Sequence, residues 1–293
     1  MHTRKLMTAV AVAALVLPTA ACGSASGSGE TPVNVNASFG AGTTMERLSK
    51  AQKVTIGSKF DQPGFGLKGL DGKPAGFDVE IAKIIVGELG IPADKIEWLE
   101  TPSKVREDYL EQAKVDFVAA TYTINDKRKL RVDFAGPYYT AGQSIMVGKD
   151  DTSITGPESF KDGTKKVCSG TGTIPADTIK TYLKDVASQL VLFDTYDKCR
   201  DALKSGQVDA VTTDNVILLG YIAKDESSFK LAGQVFTTEP YGIGVPKGDN
   251  ALRTFINDVL EKIYRDGRWQ QAWKETAGKY DTTAVTPPAL NRY

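Results

Sequence analysis

Two short stretches of this chain carry residue types that could meet a small charged molecule. Asn125-Asp126-Lys127-Arg128 has the form of a capped helical turn, and an arginine there can give a carboxylate two parallel hydrogen bonds. With Lys129 and Arg131 the same run is also a basic cluster, and on pattern alone a solvated face is the favoured reading. Ser169-Gly170-Thr171-Gly172-Thr173 lies between a β-rich run and a helical one, where glycines let backbone N–H groups approach an anion. It is neither a Walker loop nor a full GxGxxG, and a plain tight turn explains it nearly as well.

The chemistry that is missing narrows the field further. The single histidine, His2, sits in a leader: His2, Arg4 and Lys5 are followed by the uncharged apolar run Leu6 to Leu17 and then by Thr19-Ala20-Ala21 before Cys22. Removal of residues 1–21 as a signal peptide leaves no histidine, which excludes Ser-His-Asp and Cys-His catalysis and HExxH zinc sites. The apolar run falls short of the ~20 residues that span a bilayer. Small residues before a cysteine resemble the bacterial lipobox, in which Cys22 is lipidated and becomes the N-terminus, although Thr19 stands where an aliphatic residue is usual. An ordinary signal with an incidental cysteine is the alternative. Two cysteines then remain, Cys168 and Cys199, which form a pair in an oxidising compartment, with two free buried thiols as the other possibility. No CxxC or other metal-ligand spacing occurs, and neither a metal nor a cofactor is expected. Without Arg4 and Lys5 the 36 basic residues become 34 against 36 acidic, a charge of −2 that argues against nucleic acid.

The elements that must position these groups alternate along the chain. Residues 22–44 read as anchor and flexible tether, and 281–293, with Pro287-Pro288, as a loose tail. Between them strands are expected at 53–58, 96–99, 115–120, 165–169, 190–193 and 208–213. Helices are expected from Asp78, read as a cap, to Gly90, and at 103–113, 174–184, 196–205, 215–224, 250–265 and 268–278. This rhythm predicts an α/β fold with mainly parallel sheets flanked by helices. An internal echo, residues 110–118 against 203–211, each with Val-Asp opening a strand, suggests two lobes of similar construction. Thr121 and Asp214 then leave equivalent strands at the carboxyl edge, where ligands of open α/β sheets collect.

Several motifs, in order, resemble the polar amino-acid binding proteins (family 3 extracellular solute-binding proteins) of ABC importers. They are residues 76–80 (GFDVE), 120–128 (ATYTINDKR), 132–139 (VDFAGPYY), 169–173 (SGTGT), 208–214 (VDAVTTD) and 241–248 (YGIGVPKG). Residues 59–64 and the Cys168/Cys199 pair look most like actinobacterial glutamate-binding lipoproteins. The resemblance implies a two-lobed, periplasmic-binding-protein-like (type II) clamp with two hinge crossings, near 139–142 and 238–241. Lobe one would be 45–140 plus 241–280 and lobe two 141–240. By motif position, Arg128 would hold a ligand α-carboxylate, helped by Thr123 and by the N–H groups of Thr171 and Thr173, while Asp214 with Thr121 would accept from the α-ammonium.

Side-chain recognition follows from charge. Glutamate brings two carboxylates and one ammonium, so an enclosing pocket needs a second cation, for which Lys59 and Arg106 are the candidates, each otherwise a surface cation. Ser58, where relatives that bind glutamine or basic amino acids often have Asp, argues against a basic ligand. Phe60, Phe65 and Tyr241 are candidate lining residues, and Phe77 is assigned to the core. The expectation is a monomeric, non-catalytic, extracytoplasmic lipoprotein on the outer face of the cell membrane that delivers glutamate, or a related acidic or amide amino acid, to an ABC permease. The alternatives are a sensory binding module, or a dehydratase or transglycosylase on the same fold, for which Glu80 and Asp61 are the formal acid–base candidates.

Overall fold

In the computed structural model, which describes residues 31–293, the apolar runs become two five-stranded sheets and a small third one. The leader, Cys22 and the first part of the tether lie outside the described residues. In chain order the strands are β1 (Val54–Ser58), β2 (Asp61–Gln62), β3 (Gly66–Lys68), β4 (Pro74–Ala75), β5 (Ile96–Glu100), β6 (Phe117–Val118) and β7 (Val132–Ala141). They continue as β8 (Gln143–Gly148), β9 (Val167–Gly170), β10 (Leu190–Phe193), β11 (Ala210–Asp214), β12 (Phe229–Ala232) and β13 (Glu239–Pro246). The helices are α1 (Thr44–Ala51), α2 (Phe77–Glu88), α3 (Arg106–Glu111), α4 (Asp126–Lys129), α5 (Ile174–Ile179), α6 (Val186–Gln189), α7 (Tyr196–Lys204), α8 (Asn215–Lys224), α9 (Asn250–Asp266) and α10 (Arg268–Glu275).

The first lobe is built on the order β5-β1-β6-β13-β7 and the second on β10-β9-β11-β8-β12. In each, the first two pairings are parallel and the last two antiparallel, so the sheets divide evenly where mainly parallel pairing was expected. The lobes thus share one layout, and the echo in the sequence has a physical counterpart. In the first lobe the Asp116 carboxylate accepts the Thr55 N–H at 2.8 Å; in the second, Asp209 accepts the Lys166 N–H at 2.7 Å. Each aspartate stitches the start of the third strand of its sheet to the second.

The chain passes between lobes twice. β7 belongs to the first sheet and β8 to the second, with only Gly142 between them; 233–238 carries the chain back from β12 to β13. β7 and β13 pair from Val132/Pro246 up to Ala141/Glu239, so the two crossings lie side by side. A Cβ at Gly142 would fall 2.2 Å from Val235 Cγ1 and 2.5 Å from the Thr237 carbonyl oxygen, a close approach that only glycine permits.

The first-lobe core gathers Phe65, Phe77, Tyr139, Tyr241 and Trp273, whose rings meet mostly edge to face, beneath the buried stripe of α2. Phe77 is fully buried, and Phe65 lies in this core, not in a pocket. In the second lobe the Cys168–Cys199 disulfide, with Cα atoms 5.5 Å apart, ties β9 to α7.

Two segments read as loose are packed on the first lobe. In the described part of the tether, Asn34 N–H bonds the Gly87 carbonyl at 2.8 Å and the Phe39 ring meets Phe255 edge to face at 5.5 Å. In the tail, Asn291 N–H bonds the Gly136 carbonyl at 2.8 Å, and the Tyr293 hydroxyl accepts the Phe134 N–H at 2.8 Å. Arg292 reaches Asp258 at 2.6 Å and Glu261 at 2.7 Å. Composition marked both as polar and turn-rich; a few apolar and charged anchors at long range hold them.

Candidate functional site

The carboxyl edges of the two sheets face each other across one small, nearly closed cavity. The first lobe lines it with Gln62, Ser103, Arg106, Thr121, Thr123 and Arg128. The second contributes Thr173, Ile174, Pro175, Tyr196, Thr213, Asp214 and Ile217.

Arg128 sits on α4, where the Asn125 side chain caps the turn by accepting the Arg128 N–H at 2.8 Å. The expected capped turn is thus present, and its arginine points inward, not into solvent: the side chain is 7% exposed. Its guanidinium donates to the Thr123 carbonyl at 2.7 Å and, across the cleft, to the Gly172 carbonyl at 3.3 Å. Glu107 lies 3.4 Å from its Nε. Burial and then the like charge of Arg106 lower the Arg128 pKa to about 10. Arg106 stacks on the Tyr122 ring at 4.0 Å, donates to the Ala120 carbonyl at 2.9 Å, and leaves its buried Nε without a partner among the described residues. Two guanidiniums therefore converge on one small cavity, a field that favours an anion between them.

Asp214 ends β11 and precedes α8 but does not cap it. Its Oδ2 accepts the Tyr241 hydroxyl, while its buried Oδ1 has no partner among the described residues. Burial, then the neighbouring Glu239, push its pKa up to about 7, against the opposing pull of Tyr241, Arg106 and Arg128. A cation at Oδ1 would relieve that penalty. Tyr241 does not line the cavity; it reaches from β13 to hold the Asp214 carboxylate.

Thr121 sits after β6 with φ of 44°, a left-handed backbone that few residues with a branched Cβ adopt. Asp78 holds it there. This residue, expected to cap α2, is instead fully buried: one oxygen accepts the Thr121 N–H at 2.7 Å and the other the Tyr138 hydroxyl. The helix begins on Gly76 with no side-chain cap. The Thr121 hydroxyl lies within hydrogen-bond reach of the Ala120 carbonyl at 2.8 Å and of Gln62 Oε1, on the cavity wall, at 3.0 Å.

Not every candidate reaches the cavity. Thr171 directs its N–H at 2.8 Å and its hydroxyl at 3.2 Å to the Phe193 carbonyl, so the expected N–H is already engaged. Thr173 lines the cavity, but its N–H too is engaged, by the Gly170 carbonyl at 3.3 Å, and its hydroxyl caps α5 by accepting the Ala176 N–H at 3.1 Å. Lys59 is buried one layer back, its Nζ donating to Ser103 Oγ at 2.8 Å; burial, then Arg106, lower its pKa to about 7. Phe60 lies outside the cavity wall, under the Lys68 ammonium. Glu80 pairs with Lys83 on the surface of α2, and Asp61 spends a carboxylate oxygen on the Tyr196 N–H, so neither faces the cavity. Sequence reasoning missed Gln62, Ser103 and Tyr196. The carboxyl-edge rule, applied to β10 as it was to the strands before Thr121 and Asp214, points to Tyr196.

The lobes touch around the cavity. The Asp61 carboxylate accepts the Tyr196 N–H at 2.7 Å, its carbonyl accepts the Tyr221 hydroxyl at 2.6 Å, and Lys104 pairs with Asp194 at 2.8 Å. Two α/β lobes joined by paired crossings and closed over a polar cavity define a ligand clamp of the solute-binding type. The family model for bacterial extracellular solute-binding proteins, family 3, matches residues 54–278, and the chain belongs to that family. It is 42% identical over 235 residues to the glutamate-binding protein GluB of Corynebacterium efficiens, covering 77% of this chain and 79% of that one. It is 37% identical over 261 residues to the ABC transporter glutamine-binding protein GlnH of Bacillus subtilis, covering 89% and 92%. Among solved structures, an ancestral arginine-binding protein bound to arginine matches with a TM-score of 0.72 and 36% identity, covering 77% of this chain and 98% of that one.

Proposed function

We propose that the protein captures glutamate outside the cell membrane and delivers it to the permease of an ABC importer. The observation that carries this reading is the charge set of the cavity. Arg128 and Arg106 present two cations, and Asp214 presents one carboxylate with an unmatched oxygen. Glutamate bears the complementary set of two carboxylates and one ammonium, one for each charged group on the cavity wall, whereas glutamine offers the two guanidiniums a single carboxylate. Arg128 holds the α-carboxylate, Asp214 with Thr121 the α-ammonium, and Thr123 and Thr173 complete the polar wall. The naming of GluB for glutamate supports the choice; that of GlnH makes glutamine the runner-up. Ligand bridging both lobes shifts the population towards the closed form. Delivery from the membrane surface would use lipidated Cys22, which a Cys22→Ala variant released into the medium would support.

A dehydratase or transglycosylase on this fold needs an acid or base in the cleft beyond Asp214, which the α-ammonium occupies; Glu80 and Asp61, the candidates for it, are engaged elsewhere. The test is a thermal-shift and calorimetric screen with glutamate, glutamine, aspartate and asparagine. At a hundred times its dissociation constant, the true ligand stabilises the fold by about 2.7 kcal/mol, a shift of several degrees. Glutamate giving the largest shift supports the reading; a shift with glutamine alone overturns the charge argument.

A further inference from the structure

Lys59 and Ser103 form a buried polar pair that the assignment of the amino-acid backbone ends does not use. Each is 4% exposed, and Lys59 makes no ion pair among the described residues. The charged groups that face it are Arg106 on α3, Asp61 on β2, Arg128 on α4 and Glu100 on β5. An ammonium has only hydrogens to give, so in the 2.8 Å contact Ser103 Oγ is the acceptor. The serine hydroxyl then has its own hydrogen to place, and no described residue accepts it. Ser103 lies on the cavity wall, so that hydrogen is available to a ligand there. Arg106 follows three residues later, one turn along, and brings a buried Nε without a partner to the same wall.

We infer that Ser103 and Arg106 form the subsite for the ligand's side-chain carboxylate, with Lys59 as a positioning residue that acts through the Ser103 hydroxyl without touching the ligand itself. This rests on the reading that an amino acid fills the cavity. Held by Lys59, the serine presents a donor, backed at close range by a positive charge. A carboxylate accepts from both groups and is drawn by the charge; a carboxamide offers one oxygen and no charge, and its NH2 meets two donors. The lysine thus contributes to selectivity from behind the wall, and the serine is the contact.

The experiment is titration calorimetry of the full protein, Ser103→Ala, Lys59→Met and the double variant with glutamate and with glutamine. The expected result is a loss of about tenfold or more in the glutamate-to-glutamine preference for each single variant, and a double variant no worse than the weaker single, because both act through one hydroxyl. Ser103→Thr, which keeps the hydroxyl, should restore most of the preference. Circular dichroism and retained glutamine binding verify that each variant is folded. Losses that add in the double variant, or a preference untouched by Ser103→Ala, overturn the inference. Should the unaltered protein bind neither amino acid, the amino-acid reading of the cavity falls, and the subsite with it.

Discussion

At the residue scale, Asp214 and Lys59 titrate in the same range for opposite reasons. Burial raises the carboxyl of Asp214 to about 7 and lowers the ammonium of Lys59 to about 7. Asp214 faces Glu239, Tyr241, Arg106 and Arg128; Lys59 faces Arg106, Asp61, Arg128 and Glu100. An ammonium ligand needs Asp214 ionised, so affinity falls as pH drops below about 7. A side-chain carboxylate needs Lys59 charged, so affinity for glutamate also falls as pH rises above about 7. Calorimetry across pH 5–9 should give a bell for glutamate and only the acid limb for glutamine; a flat glutamate profile would remove both groups from the binding equilibrium. Arg128→Ala should cost about 2–5 kcal/mol of affinity for either amino acid, since it strands a buried carboxylate. The place of Arg128 and Asp214 on the cavity wall was legible, for Arg128 from the family motif alone and for Asp214 from motif and strand edge together. Thr171 was misread because its N–H is taken by Phe193, a partner 22 residues away that only the pairing of β9 with β10 brings near. Asp78 was read as a local cap for the same reason: its partners, Thr121 and Tyr138, are 43 and 60 residues off.

At the scale of elements, the parallel half of each sheet was visible and the antiparallel half was not. β1, β5, β9, β10 and β11 are short apolar runs set off by helices, whereas β7 and β13 are interrupted by Gly136-Pro137 and by Pro240 and Gly242, which mask them as turns. The 115–120 run is regularly paired only at Phe117–Val118, because the chain then turns into the left-handed conformation of Thr121. The Cys168–Cys199 link spans 31 residues and fixes α7, whose first residue, Tyr196, lines the cavity. Its removal by Cys168→Ala with Cys199→Ala should cost about 3–4 kcal/mol in the chain-entropy model. Differential scanning calorimetry should show that loss as a lower unfolding temperature. An unchanged midpoint would mean that β9 and α7 hold without the link.

At the scale of the whole molecule, the closed form depends on how near the lobes can come. Gly220, inside α8, sets one limit: a Cβ there would lie 2.4 Å from the Pro63 carbonyl oxygen of the opposite lobe. Alanine is the better helix former by about 1 kcal/mol, so Gly220→Ala should leave the second lobe as stable or more so. The added methyl should nevertheless wedge the cleft and weaken glutamate and glutamine alike, by about tenfold for an overpacking cost of 1–3 kcal/mol. Small-angle scattering with saturating ligand should then report a more open particle. Ordinary affinity and a compact liganded form would show that the lobes have slack at this contact.

The packing of residues 31–43 against α2 and α9 has a directional outcome. Whatever the chain before residue 31 is fastened to, it is fastened through the first lobe. With lipidated Cys22 as the anchor proposed above, that half would keep station while the other moves, and the mobile jaw would be the one carrying Asp214, Tyr196 and the disulfide. A receiving surface held at the same station would sense occupancy as the arrival of a second footprint beside one already in place.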